Sequence, residues 1–446
     1  MGYLIMAGQL ILSLSILIVL HEFGHFAPAR WFKTRVEKFY LFFDPWFALF
    51  KFKRGDTEYG IGWLPLGGYV KISGMVDESF DSEQLKGEPQ PWEFRSKPAW
   101  QRLIIMLGGV TVNFLLGMFI FAMIFWHYGE EFLPNSEVKF GIAADSLGMD
   151  LGLKDGDKVM AVGAKPFTKF DERIILREIV INNAKTIKID REGQTMNLPV
   201  DEKFVGILSS HKNKNKSLFA PRFPFVIKEV VKGSPAAEAG LKANDKILTF
   251  NGKPSLYYHE FVRLARGSKN KKADLVVLRS QDTLNLGIHI SKEGTVGVAT
   301  VPPVTYFKTK RQEYTLVQAF PAGAKKGWNL LSDQIKAFGQ IFRGKIKASE
   351  SLGGFGSIAS MYGVEWIWER FWTMTAILSL ILAFMNLLPI PALDGGHVVF
   401  LLYELVSGRK PSDKFMEYAT VAGFVIVIGL VLFANGMDVI RAIFNK

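Results

Sequence analysis

The sequence predicts a polytopic α-helical membrane protein of four transmembrane helices, with a membrane-associated β-sheet and a pair of α+β domains. Three observations lead there. Four apolar stretches are long enough to cross a bilayer as helices. An aromatic-rich, Gly-punctuated stretch between the first two reads as strands. A long polar stretch repeats itself at a fixed offset. The 446 residues are 49% apolar and include 37 Phe, diluted by charged stretches as in a membrane protein with sizeable soluble parts. The net charge of +12 would suit nucleic acid. In a membrane protein, however, basic residues flank the helices on the cytoplasmic side, so no nucleic acid is expected. There is no cysteine, which excludes disulfides and thiolate metal sites and leaves His and carboxylates as the strong ligands.

The first span, Tyr3 to Phe26 within residues 1–26, carries no Lys, Arg, Asp or Glu before His21. It lacks the basic n-region and small-residue cleavage site of a signal peptide, so it reads as retained. It ends in His21-Glu22-Phe23-Gly24-His25. Ionisable groups in such a segment are costly and mark function. Residues four apart share a helix face, so both imidazoles reach one ion with Glu22 beside it. That pattern belongs to a catalytic zinc: two neutral imidazoles ligate Zn²⁺, and Glu22 takes the proton of a water acidified by the metal. The bland alternative is a chance H-E-x-x-H, and its placement at the end of an apolar helix argues against chance.

The remaining spans read as Leu103–Trp126 (domain 103–127), Phe371–Pro391 (domain 366–397) and Tyr418–Phe433 (domain 418–446). Arg30, Lys33, Arg35 and Lys38 follow the first span, and Arg95, Lys97 and Arg102 precede the second. Arg409, Lys410 and Lys414 lie between the third and fourth. The positive-inside rule then puts 27–102 and 398–417 in the cytoplasm and 128–365 outside it. Spans one and three run the same way and end at the same face. The third ends in Asn386-Leu387-Leu388-Pro389-Ile390-Pro391-Ala392-Leu393-Asp394-Gly395-Gly396-His397, so Asp394 is the carboxylate brought to the depth of the two histidines. A catalytic zinc takes three protein ligands and keeps one position open, and Asp394 supplies the third; the alternative is an ordinary Asp-Gly turn. His397 reads as a supporting or capping residue. Pro389 and Pro391 break the helix, leaving backbone groups that protein, water or peptide must satisfy. Asn386 suits either an extended substrate or a helix–helix hydrogen bond.

Within 27–102, the runs Phe39–Phe43, Trp46–Phe50 and Tyr59–Ile72 are expected as strands, either a plain hairpin or a sheet whose edge accepts a peptide strand. Residues 76–96 read as an acidic, Pro-containing mobile loop. In the second span, Gly109 and Asn113 share one face, and a buried Asn there needs a partner at the end of span one or three.

Gly152-Leu153-Lys154 recurs as Gly240-Leu241-Lys242, Asp157-Lys158 as Asp245-Lys246, and Lys165-Pro166 as Lys253-Pro254, always 88 residues on. Two related domains, 128–220 and 221–306, follow. The clearer second copy carries Gly233-Ser234-Pro235-Ala236-Ala237-Glu238-Ala239-Gly240 and then Asp245-Lys246-Ile247-Leu248-Thr249-Phe250-Asn251-Gly252. It resembles bacterial PDZ domains, which bind extended peptides by strand addition; the first copy is more degenerate. In 307–365, Trp328, Leu331, Ile335, Phe338 and Phe342 with nearby lysines form an amphipathic basic helix. It suits the membrane surface or packing against the PDZ-like pair. A Gly-rich linker, Gly353-Gly354-Phe355-Gly356, follows.

Taken together, HEFGH, TEYGIGWLPLGGYVKISGM and NLLPIPALDGGH, bracketing two PDZ-like domains, resemble the site-2 protease family of intramembrane zinc metalloproteases, in its sigma-E-regulating bacterial form. The resemblance covers nearly the whole chain. It implies zinc held by His21, His25 and Asp394, Glu22 as general base, and substrate contacts from Asn386 and Gly67-Gly68-Tyr69-Val70. It also assigns Asn113 to a G-P-x-x-N motif for the substrate, with Val110 in the proline's place. Implied partners are single-span membrane proteins of the anti-sigma-factor type, signal peptide remnants and the lipid bilayer. The implied setting is a monomer in the bacterial inner membrane with periplasmic PDZ-like domains and an active site near the cytoplasmic side. The rivals are a PDZ-containing scaffold or sensor with a vestigial metal site, and a zinc-dependent transporter.

Overall fold

A computed structural model describes residues 1–65, 67–75, 87–213 and 215–444. The chain divides into two units, one of residues 1–129, 313–339 and 351–446, the other of residues 130–312 and 340–350.

The first unit is helical around one small sheet. Helix α1 (Gly2–Trp31) runs past Pro28, α2 is Ala99–Tyr128 and α3 is Leu316–Phe342. Then come α4 (Phe355–Tyr362), α5 (Trp368–Asn386), α6 (Asp394–Ser407) and α7 (Asp413–Phe444). Among the described residues three helices, at Gly2–Trp31, Ala99–Tyr128 and Lys414–Phe444, are long and apolar enough to cross a membrane by length and composition. The expected third span is the 19-residue α5. It stops at Asn386, not at Pro391, because a residue preceding proline disfavours helix. The chain then turns, and Gly396 N–H donates to the Leu393 carbonyl at 3.0 Å. Asp394 opens α6 in a segment expected to be a loop from residue 398. Val398 and Leu401 are buried with Ile105 and Met106 of α2, and this apolar stripe makes the segment a helix. Arg102 of α2 pairs with Glu404 of α6.

Close helix contact depends on small residues. A Cβ on Gly24 of α1 would lie 2.5 Å from the Gly108 carbonyl oxygen of α2. Likewise α3 meets α2 through Gly323, where a Cβ would lie 2.5 Å from the Ala122 nitrogen, and Gly327, where it would lie 2.8 Å from Met118 Cγ. The aromatic stripe of α3 divides: Phe338 packs on Phe384 of α5 at 5.0 Å, while Trp328, Ile335 and Phe342 are exposed. Neither expected role for α3 included this seam on α2. The Gly-rich linker is also corrected, since from Phe355 it forms α4. Asp438 of α7 accepts from Ser357 N–H at 2.7 Å and holds the N-terminal end of that helix.

Strands β1 (Val36–Leu41), β2 (Phe43–Arg54), β3 (Thr57–Leu64) and β4 (Tyr69–Ile72) form a sheet ordered β2-β3-β1-β4. β1 runs parallel to β3 and antiparallel to β4, so the sheet is mixed and β4 is an edge. Phe42 and Trp46 adopt left-handed φ of 67° and 72°, and the β2–β3 register slips between Phe43 and Phe50. Trp46 is 90% exposed and stacks on Trp63. Of the expected mobile loop 76–96, residues 76–86 lie outside the described residues. The rest is pinned: Phe94 N–H donates to the Ser73 carbonyl at 2.8 Å.

The second unit holds two modules of one topology. In the first, strands at Lys165–Pro166, Lys158–Val162, Thr186–Arg191 and Gln194–Pro199 lie side by side in that order; in the second, Lys253–Pro254, Lys246–Phe250, Lys272–Arg279 and Asp282–His289. Each packs a longer helix, Glu172–Val180 or Tyr258–Gly267, and a short one, Ser146–Asp150 or Pro235–Glu238, on its own apolar core. The first core also takes Ile346, which lies between the amphipathic helix and the Gly-rich stretch expected in 307–365.

Candidate metal and catalytic site

His21 and His25 lie one turn apart on α1, and Asp394 is brought to them by the turn after α5. Each imidazole Nε2 is 3.3 Å from Asp394 Oδ2, and the two Nε2 atoms are 3.3 Å apart. One donor atom from each of the three residues fits within 4.8 Å of the others. No other such His/Cys/Asp/Glu group occurs among the described residues.

Helix α2 forms the wall behind the imidazoles. A side chain on Gly109 would run into both rings. The Ile105 carbonyl accepts the His25 Nδ1 proton at 2.8 Å, leaving the His25 Nε2 lone pair facing Asp394. The Asn113 amide lies 3.2 Å from His21 Nδ1, and the Asn386 amide 3.2 Å from His21 Nε2. Asn113 is 1% exposed and turned onto His21 at the end of the first span, where the sequence places a partner for it. Asp394 Oδ2 is buried without a hydrogen-bond donor. Two imidazoles and a carboxylate thus aim lone pairs at one point, which is costly unless a cation lies there. The donor set, all N and O, fits zinc with one position left open.

Glu22 sits beside the cluster against β4. A Cβ on Gly68 would lie 3.5 Å from Glu22 Cγ and 2.8 Å from the Tyr40 carbonyl oxygen, so glycine admits the strand. The Val70 N–H is directed at the Glu22 carboxylate. Gly67 abuts the Phe43 ring. Tyr69 stacks on Tyr40 at 5.3 Å and donates to Asp44 Oδ1 at 2.8 Å. Burial, with Asp44 close by, pushes the Tyr69 hydroxyl well up, so it stays a donor. His397 lies partly buried on the first turn of α6.

Two participants escaped the sequence reading. The Ile105 carbonyl is a backbone group, which no residue type announces. Ser379 of α5 donates its hydroxyl to the Asn113 carbonyl at 2.6 Å; a lone serine in an apolar helix gives only a weak signal of this.

The model of peptidase family M50 matches residues 9–430 of the chain. Regulator of sigma-E protease RseP of Escherichia coli strain K12 is 31% identical, over 96% of this chain and 97% of its own length. Its counterpart in Salmonella typhimurium strain 14028s is 30% identical, over 95% and 96%. A Neisseria meningitidis protein with the words zinc metalloprotease in its name is 28% identical, over 97% and 98%.

Proposed function

The chain belongs to peptidase family M50, and from that premise we propose that it hydrolyses peptide bonds of membrane-spanning segments at the His21–His25–Asp394 cluster. It is an intramembrane zinc metalloprotease. His21, His25 and Asp394 would hold the zinc, which when bound polarises the scissile carbonyl and acidifies a water. The carrying observation is the convergence of three lone-pair donors around Asp394 Oδ2, which has no hydrogen-bond donor of its own.

The chain's own groups do the rest. Glu22, beside the cluster, takes the proton from the attacking water and returns it to the leaving amine. A substrate helix satisfies its own backbone and must unwind to be cut. The edge strand β4, running past Glu22, offers backbone partners to the unwound segment, and Gly67 and Gly68 keep that approach narrow. Asn386, at the frayed end of α5, offers its amide to the substrate once His21 Nε2 is engaged elsewhere.

The wider setting joins the same reading. α5, third in chain order, completes the set of four membrane helices, the cluster lies toward the cytoplasmic face of the inner membrane, and the two modules are periplasmic PDZ-like domains that screen what approaches. Relatives are named for regulating sigma-E. By analogy the substrates are single-span proteins of the anti-sigma-factor type, with signal peptide remnants as a second class, and the enzyme acts as a monomer.

The test uses purified full-length chain in detergent, assayed for zinc content and for cleavage of a panel of single-span substrates with and without their outer domains. The proposal requires about one zinc per chain and cleavage that Glu22→Gln abolishes while zinc stays bound. Zinc-free protein, or cleavage surviving His21→Ala, refutes it. A scaffold would bind envelope peptides and ignore both substitutions.

A further inference from the structure

We infer that Asn113 is a positioning residue for His21: in the metal-loaded protein its side-chain carbonyl Oδ1 accepts the His21 Nδ1 proton and fixes that ring as a ligand. The inference rests on the zinc reading above.

A neutral imidazole has one N–H and one lone-pair nitrogen. His21 points Nε2 toward His25 Nε2 and Asp394 Oδ2, each at 3.3 Å. If that nitrogen is the ligand, its lone pair is committed and the ring proton resides on Nδ1. The group facing Nδ1 must then accept. The side chain found there is Asn113, with Nδ2 at 3.2 Å, which would set one donor against another. Its Oδ1, meanwhile, is buried without a partner. Exchanging the amide's oxygen and nitrogen, an assignment made from hydrogen bonding alone, turns the acceptor to the histidine and moves no other group.

His25 supplies the parallel. Its Nδ1 proton is accepted by the Ile105 carbonyl at 2.8 Å, on the same helix α2, leaving its Nε2 for the metal. On this reading α2 serves both imidazoles through acceptors about two turns apart, one from the backbone and one from Asn113. Ser379 holds the second by donating to the Asn113 main-chain carbonyl at 2.6 Å. Acceptors behind metal-bound histidines fix the tautomer and orientation, and their loss costs about 10- to 100-fold in metal affinity.

The experiment strips zinc from the full-length protein with a chelator and measures zinc affinity by competition for wild type, Asn113→Leu and Asn113→Asp. Asp matches Asn in shape but, ionised, only accepts. The expected result is an affinity about 10- to 100-fold weaker for Asn113→Leu, with Asn113→Asp within a few-fold of wild type. An unchanged Asn113→Leu overturns the inference, and so does an Asn113→Asp as weak as Asn113→Leu. Because Asn113→Asp buries a carboxylate, the wild-type chain carries a second measurement. With ¹⁵N-labelled histidine and zinc bound, His21 Nδ1 must be protonated, and an Nδ1 without a proton overturns the inference independently. Wild type that binds no zinc would defeat the functional proposal itself, a separate outcome.

Discussion

Asp245 in the second module is a fully buried carboxylate and Asp394 at the His21–His25 cluster a half-buried one whose Oδ2 is enclosed, and their surroundings are opposite. Asp245 accepts from Arg279 Nε at 2.7 Å, from Arg279 Nη2 at 2.8 Å and from Lys242 N–H at 2.8 Å. These donors hold its carboxyl below the usual range. Asp394 meets two imidazole nitrogens instead, and its Oδ2 has no donor. A buried carboxylate supplied with a guanidinium is complete and structural; one supplied only with lone pairs is half of a site. Asp157 confirms the first pattern, with Arg191 Nε at 2.8 Å and Lys154 N–H at 2.8 Å.

The comparison breaks first at Asp394→Asn. Zinc affinity should fall by more than the roughly 100-fold that loss of an outer-shell partner costs, and hydrolysis should vanish, as metal analysis and substrate cleavage will register. Glu22→Gln comes next: cleavage drops by roughly 10²- to 10⁴-fold at unchanged zinc content, and a variant that loses zinc as well would reassign Glu22 to the ligand set. Asp245→Asn should leave zinc and the cluster intact while destabilising the second module by about 2 kcal/mol, read by hydrogen exchange of Lys246–Phe250 and Lys272–Arg279 in the full chain. Gly323→Val, which drives a side chain into α2, should destabilise the α2–α3 seam by about 1–3 kcal/mol, visible as faster exchange in α3 alone.

The smallest effect is a pH dependence. Asp245 titrates lower in the folded module than in the unfolded chain, where an aspartate titrates near 4. Its stabilisation is therefore complete above about pH 4 and is lost as pH falls through the lower folded value. With the acid slowing of intrinsic amide exchange divided out, protection in the second module should fall on acidification below about pH 4, and Asp245→Asn should flatten that response.

How much of this was legible before the structure depended on what carries the information. His21 and His25 fall on one face because four residues make just over one helical turn of 3.6 residues, and Asp394 could be brought to them because two spans run the same way. The module repeat was visible in Gly152/Gly240 and Asp157/Asp245. Its energetic core was not: Arg191 and Arg279 keep the same 88-residue offset and bind the Gly152 and Gly240 carbonyls at 2.9 and 2.7 Å, but they sit on strands, far in sequence from the aspartates they complete. The extent of α6 was missed because two prolines and two glycines read as a loop. There Gly395 and Gly396 serve tight packing, a Cβ on Gly396 lying 2.5 Å from the Ile390 carbonyl oxygen. The α3 stripe was read for its aromatics, while the closest approach is made by Gly323 and Gly327, which have no side chain to notice.

The cluster draws two of its members from α1 and the third from the start of α6, separated by most of the chain. Synthesis proceeds from the N-terminus at about 5–20 residues per second, so His21, Glu22 and His25 enter the bilayer roughly 20 to 70 seconds before Asp394 exists. During that interval the nascent protein carries Glu22 and two of the three cluster residues, His21 and His25, but not Asp394. If the cluster is the catalytic centre, a chain made in this order gains cleavage activity only once its synthesis is nearly finished.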